Sequence, residues 1–280
     1  MGVAILSFYN NLVERGVETW AENVKKNLMD VKIFSGWECF NPFLWRRFDT
    51  VIPTNGRVQV LLARLFCKRI IVFGHSGPGA DDKWNLWCSP DVFVAFSLYQ
   101  AKWAERFKYP WTKVKIIPHA VDTEIFKPDN NVKKTTEVLC VAANHPNKRV
   151  DLVKKAWNDV MVVGSGQKRE VKYQEMPKIY NQVKVFCFVP WAREAFGLVF
   201  LEALACNLPI VTIDDPIRRE IVGDAGIFVK DPQNTKELSE AIKLALKTDW
   251  RDKPRKQSEK FSWSKIVRQY EDICCDNHTG

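Results

Sequence analysis

The sequence predicts an α/β protein made of two Rossmann-like, doubly wound parallel-sheet domains. Three observations carry the prediction. Strand-sized apolar runs alternate with helical periodicity in both halves of the 280 residues. A polar, turn-rich stretch at 126–136 separates the halves. Residues 185–213 read as one strand–loop–helix–strand unit, with its loop at the carboxyl end of a strand, where open α/β sheets bind ligands.

In chain order, residues 3–8 form a first strand, which runs through a loop ending at Gly16 into a helix over 17–29. A strand follows at 31–34, while the aromatic-rich segment 37–48 has no clear period and no assigned element. A helix at 58–66 leads to a strand at 69–73, closed by the glycine-rich loop around His75. Residues 91–96 form the next strand, Ser97 caps a helix, and 114–117 form a strand stopped by Pro118. Beyond the linker come a strand at 138–142, a helix at 150–157 and a strand at 160–163 ending in Gly164-Ser165-Gly166. The 185–213 unit contributes strand 185–189, a helix over 198–206 and strand 210–213, and a short strand follows at 226–229. Asn234 and Glu237 form a capping box for helix 236–247. The Lys/Arg-rich stretch 250–260 reads as a solvated connection, and Ser262 caps a last helix with Phe261 and Ile266 as its staple. The expected domains are 1–130 and 131–260, with 261–280 a C-terminal helix packing back towards the first.

Bulk properties narrow the function classes. No apolar run approaches the roughly 20 residues that span a bilayer, and the start lacks signal-peptide features. The expected location is cytoplasmic, with peripheral contact to a membrane as an addition. The eight cysteines are scattered with no Cys-x-x-Cys pair, so neither a disulfide framework nor a zinc site is indicated. Cys140, Cys187 and Cys206 read as core fillers. The net charge of +9 divides into +4 over 1–130 and +5 over 131–280, which favours anionic ligands or surfaces without marking a basic arm.

Two carboxylates, Glu194 and Glu202, stand in otherwise apolar company across a loop–helix junction, where burying a charge is expensive without donors. Their setting, Glu194-Ala-Phe-Gly-Leu-Val-Phe-Leu-Glu202-Ala, resembles the E-x7-E signature of the retaining GT-B glycosyltransferases of family four. Residues 205–212 are similar to the A-x-G-x-P-V-V-A that follows it there, with Asn207 in place of glycine. Residues 116–122 with Phe126 and Pro128 resemble I-P-N-G-V-D…F-x-P, with His119-Ala120 replacing Asn-Gly. Residues 141–148 resemble V-G-R-L-x-x-x-K, and 162–166 the V-G-x-G strand end. The match covers about 110–245 well; upstream it covers only the Gly16 and His75 loops.

The resemblance implies a GT-B fold with the two domains facing a cleft. It also implies a hexosyltransferase that moves sugar from a UDP- or GDP-sugar to an acceptor hydroxyl with retention, needing no cofactor and no metal. Glu202 would hold the ribose hydroxyls, Glu194 the hydroxyls of the transferring sugar, and Lys148 the diphosphate. The backbone N–H groups of Phe196, Gly197 and Leu198 would add a helix N-terminus to that anion site. Ala143, Asn144, Gly164 and Ala195 complete the donor side, Gly16 approaches the diphosphate or the acceptor, and His75 lies near the reacting centre. Structural roles for His75 and Gly16 are the alternatives. The family's arginine is Ala143 here, and Arg149, Arg193 and His145 are candidates to replace it, or solvated charges. A non-catalytic nucleotide-sugar-binding module is the alternative function. Acceptor classes are a glycan, a lipid-linked molecule at an anionic surface, or a modified nucleic acid. The tryptophans and arginines of 37–47, with Trp103 and Trp111, would meet the last two unless they are core residues.

Overall fold

The computed structural model describes residues 2–10, 16–54, 56–191 and 194–275. They divide into two compact units, Met1–His119 with Ser264–Gly280, and Ala120–Trp263.

Unit 1 is built on β1 (Val3–Leu6), buried along its whole length, as a strand covered on both faces of a parallel sheet must be. The crossover α1 (Gly16–Asn27) covers it with Trp20, Ala21 and Val24. β2 (Val31–Phe34) pairs with β1 on one side. A single 3₁₀ turn at Gly36–Phe40 and α2 (Pro42–Trp45) follow, and then β3 (Thr50–Pro53) pairs on the other side. α3 (Arg57–Phe66), β4 (Ile71–Phe73), α4 (Ala80–Trp87), β5 (Val92–Ala95), α5 (Leu98–Ala104) and β6 (Lys113–Ile116) complete the winding. The second ladder, β4-β5-β6, meets the first through a parallel bridge between Val51 and Ile70. Ser97 caps α5 as expected, its Oγ accepting from Gln100 N–H at 3.2 Å.

Unit 2 is a five-stranded parallel sheet. Its elements run β7 (Thr136–Val141), α6 (Val150–Ala156), β8 (Met161–Val163), α7 (Met176–Asn181), β9 (Val183–Cys187), α8 (Leu198–Ala205), β10 (Ile210–Ile213), α9 (Pro216–Val222), β11 (Gly226–Val229), α10 (Thr235–Lys247) and α11 (Lys253–Glu259). The strand order β11-β10-β9-β7-β8 reverses between β7 and β9. Such a switch point opens a crevice at the carboxyl strand ends. Cys140, Cys187 and Cys206 are buried in this core. The last helix, α12 (Trp263–Cys275), returns the chain to unit 1, where the Tyr270 hydroxyl accepts from Trp20 Nε1 at 2.9 Å.

Three expectations are corrected. The aromatic segment 37–48 does hold structure: Asn41 caps α2 by accepting from Phe43 N–H, and Trp45 is buried. Elements of four or five residues are too short to show a period. The basic stretch 250–260 contains α11, whose Arg255 donates to the carbonyls of Thr123, Phe126 and Ala205, so its charge serves backbone acceptors. At α10, Asn234 caps Glu237 N–H, but the Glu237 carboxylate accepts from Lys230 N–H, so the capping box is half made.

Asn207, where the resemblance has glycine, takes the left-handed conformation after α8 (φ 59°). Its side chain accepts from Arg255 N–H at 3.1 Å and donates to the Arg251 carbonyl at 2.8 Å. Asparagine tolerates that conformation because its short amide can bond locally.

Gly164, at φ +150°, lets the chain leaving β8 pass close to the backbone beyond β7, and a Cβ there would run into the Ala142 carbonyl oxygen. Gly164→Ala is expected to destabilise unit 2 by about 2 kcal/mol or more, read as a lower urea midpoint at unchanged m-value.

Candidate functional site

The carboxyl ends of β7, β8 and β9 supply three loops that tie to one another. Asn144 N–H donates to the Ser165 carbonyl at 2.8 Å, joining the β7 and β8 loops. Trp191 N–H donates to the Asn147 carbonyl at 2.9 Å, joining the β9 loop to the β7 loop. Across that junction Lys148 Nζ pairs with Glu194 Oε2 at 2.5 Å, both side chains partly exposed. Two groups assigned separately from sequence are therefore partners. Ala143 and Asn144 sit exposed on the same rim.

Gly197 turns the β9 loop into α8. Its φ of +95° and the closeness of Phe200, which a Cβ would approach to 2.8 Å, leave no room for a side chain. Ala195 and Phe196 are buried, Phe196 edge-on to Phe261, while Gly197 and Leu198 are half-buried. The helix thus starts in the rim, with the positive end of its dipole there.

Glu202 is the fifth residue of α8, on its second turn. It is buried, and its Oε2 accepts from the Tyr180 hydroxyl of α7 at 2.7 Å. Burial pushes its carboxyl up to about 7, against the smaller opposing effect of the tyrosine bond. The same burial, with Glu202 beside it, holds the Tyr180 phenol well above its usual range.

A residue that sequence reasoning missed fixes this loop. Arg218, on α9, is fully buried and donates through Nη1 to the Glu194 carbonyl at 3.0 Å. Its Nε bonds both Asp215 carboxylate oxygens, at 2.9 and 3.0 Å. Asp215 also caps α9, and Asp214 pairs with Arg219, so both acids have helix-end duties. Of the groups weighed as replacements for the arginine at 143, Arg149 lies over the Trp191 ring at 6.0 Å and His145 accepts from Asn147 N–H. Arg193 lies outside the described residues.

Unit 1 holds the other two sequence candidates. Gly16 is the exposed first residue of α1, and most of the loop before it, residues 11–15, lies outside the described residues. His75 is half-buried against Trp20, Phe73 and Phe96, with ring centroids 4.7, 6.1 and 5.1 Å away. His119, the second missed residue, lies 5.6 Å from it and stacks on Phe96 at 3.7 Å. Burial lowers His75 to about 3, so the ring is a neutral donor–acceptor at neutral pH; His119 is lowered too, by burial and then by His75. The loop is pinned from beneath: Gln100 Nε2 donates to the Gly74 carbonyl at 2.6 Å and to Asp82 Oδ2 at 2.9 Å.

Residues 166–262, about a third of the chain, match the family model described as Glycosyl transferases group 1. The O-antigen chain mannosyltransferase B of Escherichia coli is 34% identical over 101 residues, which are 34% of this chain and 26% of that protein. The chain spans from 26% to 48% of the length of the curated relatives it matches first. Among solved structures, Anabaena HepE in complex with UDP and glucose superposes with a TM-score of 0.79 at 14% identity, covering 98% of this chain and 99% of that one. The sucrose-phosphate synthase of Thermosynechococcus elongatus gives 0.80 at 13%, covering 98% of each. At such identities the likeness establishes the fold. The chain therefore has the GT-B fold, and the segment holding Glu194, Glu202 and Arg218 lies within its match to the group 1 glycosyl transferases.

Proposed function

We propose that the protein is a retaining glycosyltransferase that moves a hexose from a UDP- or GDP-sugar to an acceptor hydroxyl. The observation that carries this reading is the pair of glutamates on one loop–helix unit at the sheet's switch point, one buried against a phenol and one ion-paired to a lysine at the rim. The family match over that segment and a solved structural neighbour in complex with UDP and glucose support it.

Glu202 accepts hydrogen bonds from the ribose hydroxyls with Tyr180 holding its far oxygen, and Glu194 accepts from the hydroxyls of the transferring sugar. Lys148 and the first N–H groups of α8 meet the negative charge that grows on the departing diphosphate. The bond between the anomeric carbon and the donor phosphate oxygen breaks, and the acceptor oxygen bonds that carbon from the same face. The acceptor's proton passes to the leaving phosphate oxygen. No divalent ion is required, so chelation by EDTA leaves turnover unchanged.

Nucleotide release and thermal stabilisation with UDP-, GDP- and ADP-sugars test the reading. Glu202→Ala is expected to weaken donor binding by about 1.5–3 kcal/mol, the worth of hydrogen bonds to a charged group, and Glu194→Ala to abolish turnover. No response to any donor, or variants that behave as wild type, would sink it.

Arg218→Met is expected to lower stability by about 3 kcal/mol by stranding the Asp215 carboxylate, and to raise the donor KM in the protein that remains folded.

The pH dependence has two signs. Donor binding needs the Glu202 carboxylate, so affinity falls as pH drops below about 7. Ligand-free stability runs the other way: the protonated Glu202 contributes fully below 4.5, and that contribution is lost as pH rises through about 7. Calorimetry and binding titrations on Glu202→Gln should find both trends removed.

A further inference from the structure

We propose that the outer face of α2 and α3 in unit 1 docks on an anionic lipid surface. Eighteen large apolar or aromatic side chains are exposed among the described residues, and seven of them fall within residues 36–69. The same segment carries six Lys or Arg against two acids, net +4 of the chain's +9. Apolar exposure and positive charge coincide in an eighth of the chain.

α3 buries Gln59, Val60 and Ala63 towards the core. Its opposite face, where a helix on a water-facing surface carries polar residues, has Val58, Leu61 and Leu65 at i, i+3 and i+7, 57%, 45% and 67% exposed. Phe66, the last residue of the helix, is also exposed. α2 packs beside α3 and adds Phe43 at 73% exposure, with the Arg46 guanidinium 4.8 Å from its ring centroid. Arg57 and Arg64 pair with Asp81 and Asp91, while Arg46, Arg47 and Lys68 have no carboxylate partner among the described residues. An apolar stripe edged by unpaired cations matches a helix lying in a lipid headgroup layer, where aliphatic chains enter the acyl boundary and cations meet anionic headgroups. A nucleic acid would use the cations but has no use for Val58, Leu61 and Leu65, which cannot stack on bases.

The inference is independent of sugar transfer and is tested on the full chain without donor. Vesicles of phosphatidylcholine alone, or mixed with phosphatidylglycerol, are sedimented with the protein at low and high salt. Tighter binding to the anionic vesicles by about tenfold or more, weakened by salt, is expected. Leu61→Ser with Leu65→Ser, and separately Arg46→Glu with Arg47→Glu, should each lower partitioning by about tenfold at unchanged unfolding midpoints. Equal binding to neutral vesicles, no binding, or variants that bind as wild type overturn the proposal. So does a wild-type dimer that the serine variants convert to monomer, or tighter salt-dependent binding to single-stranded DNA than to the anionic vesicles.

Discussion

Between Asp215 and the carbonyl of Glu194 sits a guanidinium screened from water, and the geometry of the candidate site follows from where it stands. A loop emerging from a parallel strand has no ladder partner for its carbonyls, and burying one unmet is costly. Arg218 meets that carbonyl from α9, one strand further along the sheet, with a donor whose own charge is neutralised by Asp215. The Glu194 side chain is then left to face the rim, where Lys148 meets it. Beside the clamp, the Glu194 N–H bond to the Trp191 carbonyl at 3.0 Å helps to define the path of this stretch.

The two glutamates occupy opposite electrostatic settings within nine residues of sequence. Glu194 is partly exposed and paired to a cation. Glu202 is buried, and a single phenol bond only partly offsets what it loses in leaving water. Such a group gains most when a ligand brings further donors, so the fold stores there part of the drive for binding.

Much of this was legible in the residues. The apolar runs at 138–142, 185–189 and 210–213 read as buried parallel strands, and carboxylates amid such company mark the site. Motif order supplied the GT-B expectation. The illegible parts depend on tertiary placement. Arg218 lies in Asp214-Asp215-Pro216-Ile217-Arg218-Arg219, which reads as a solvated helix start, and nothing in the spacing tells which arginine turns inward. Tyr180 sits on a helix of six residues, too short for a period. His119 reads as a substitution at a crossing, and its meeting with His75 joins positions 44 residues apart through β5 and the strand before the crossing.

The return of α12 to unit 1 has a consequence for how the chain is made. Thr50 Oγ1 and Arg69 Nη1 both donate to the Cys274 carbonyl, and Trp20 to Tyr270, so acceptors for the first seventy residues are supplied by the last fifteen of those described. Unit 2 is one uninterrupted stretch, 120–263. The second unit is therefore complete in sequence before the first, whose early strands wait for a helix that follows it in the chain.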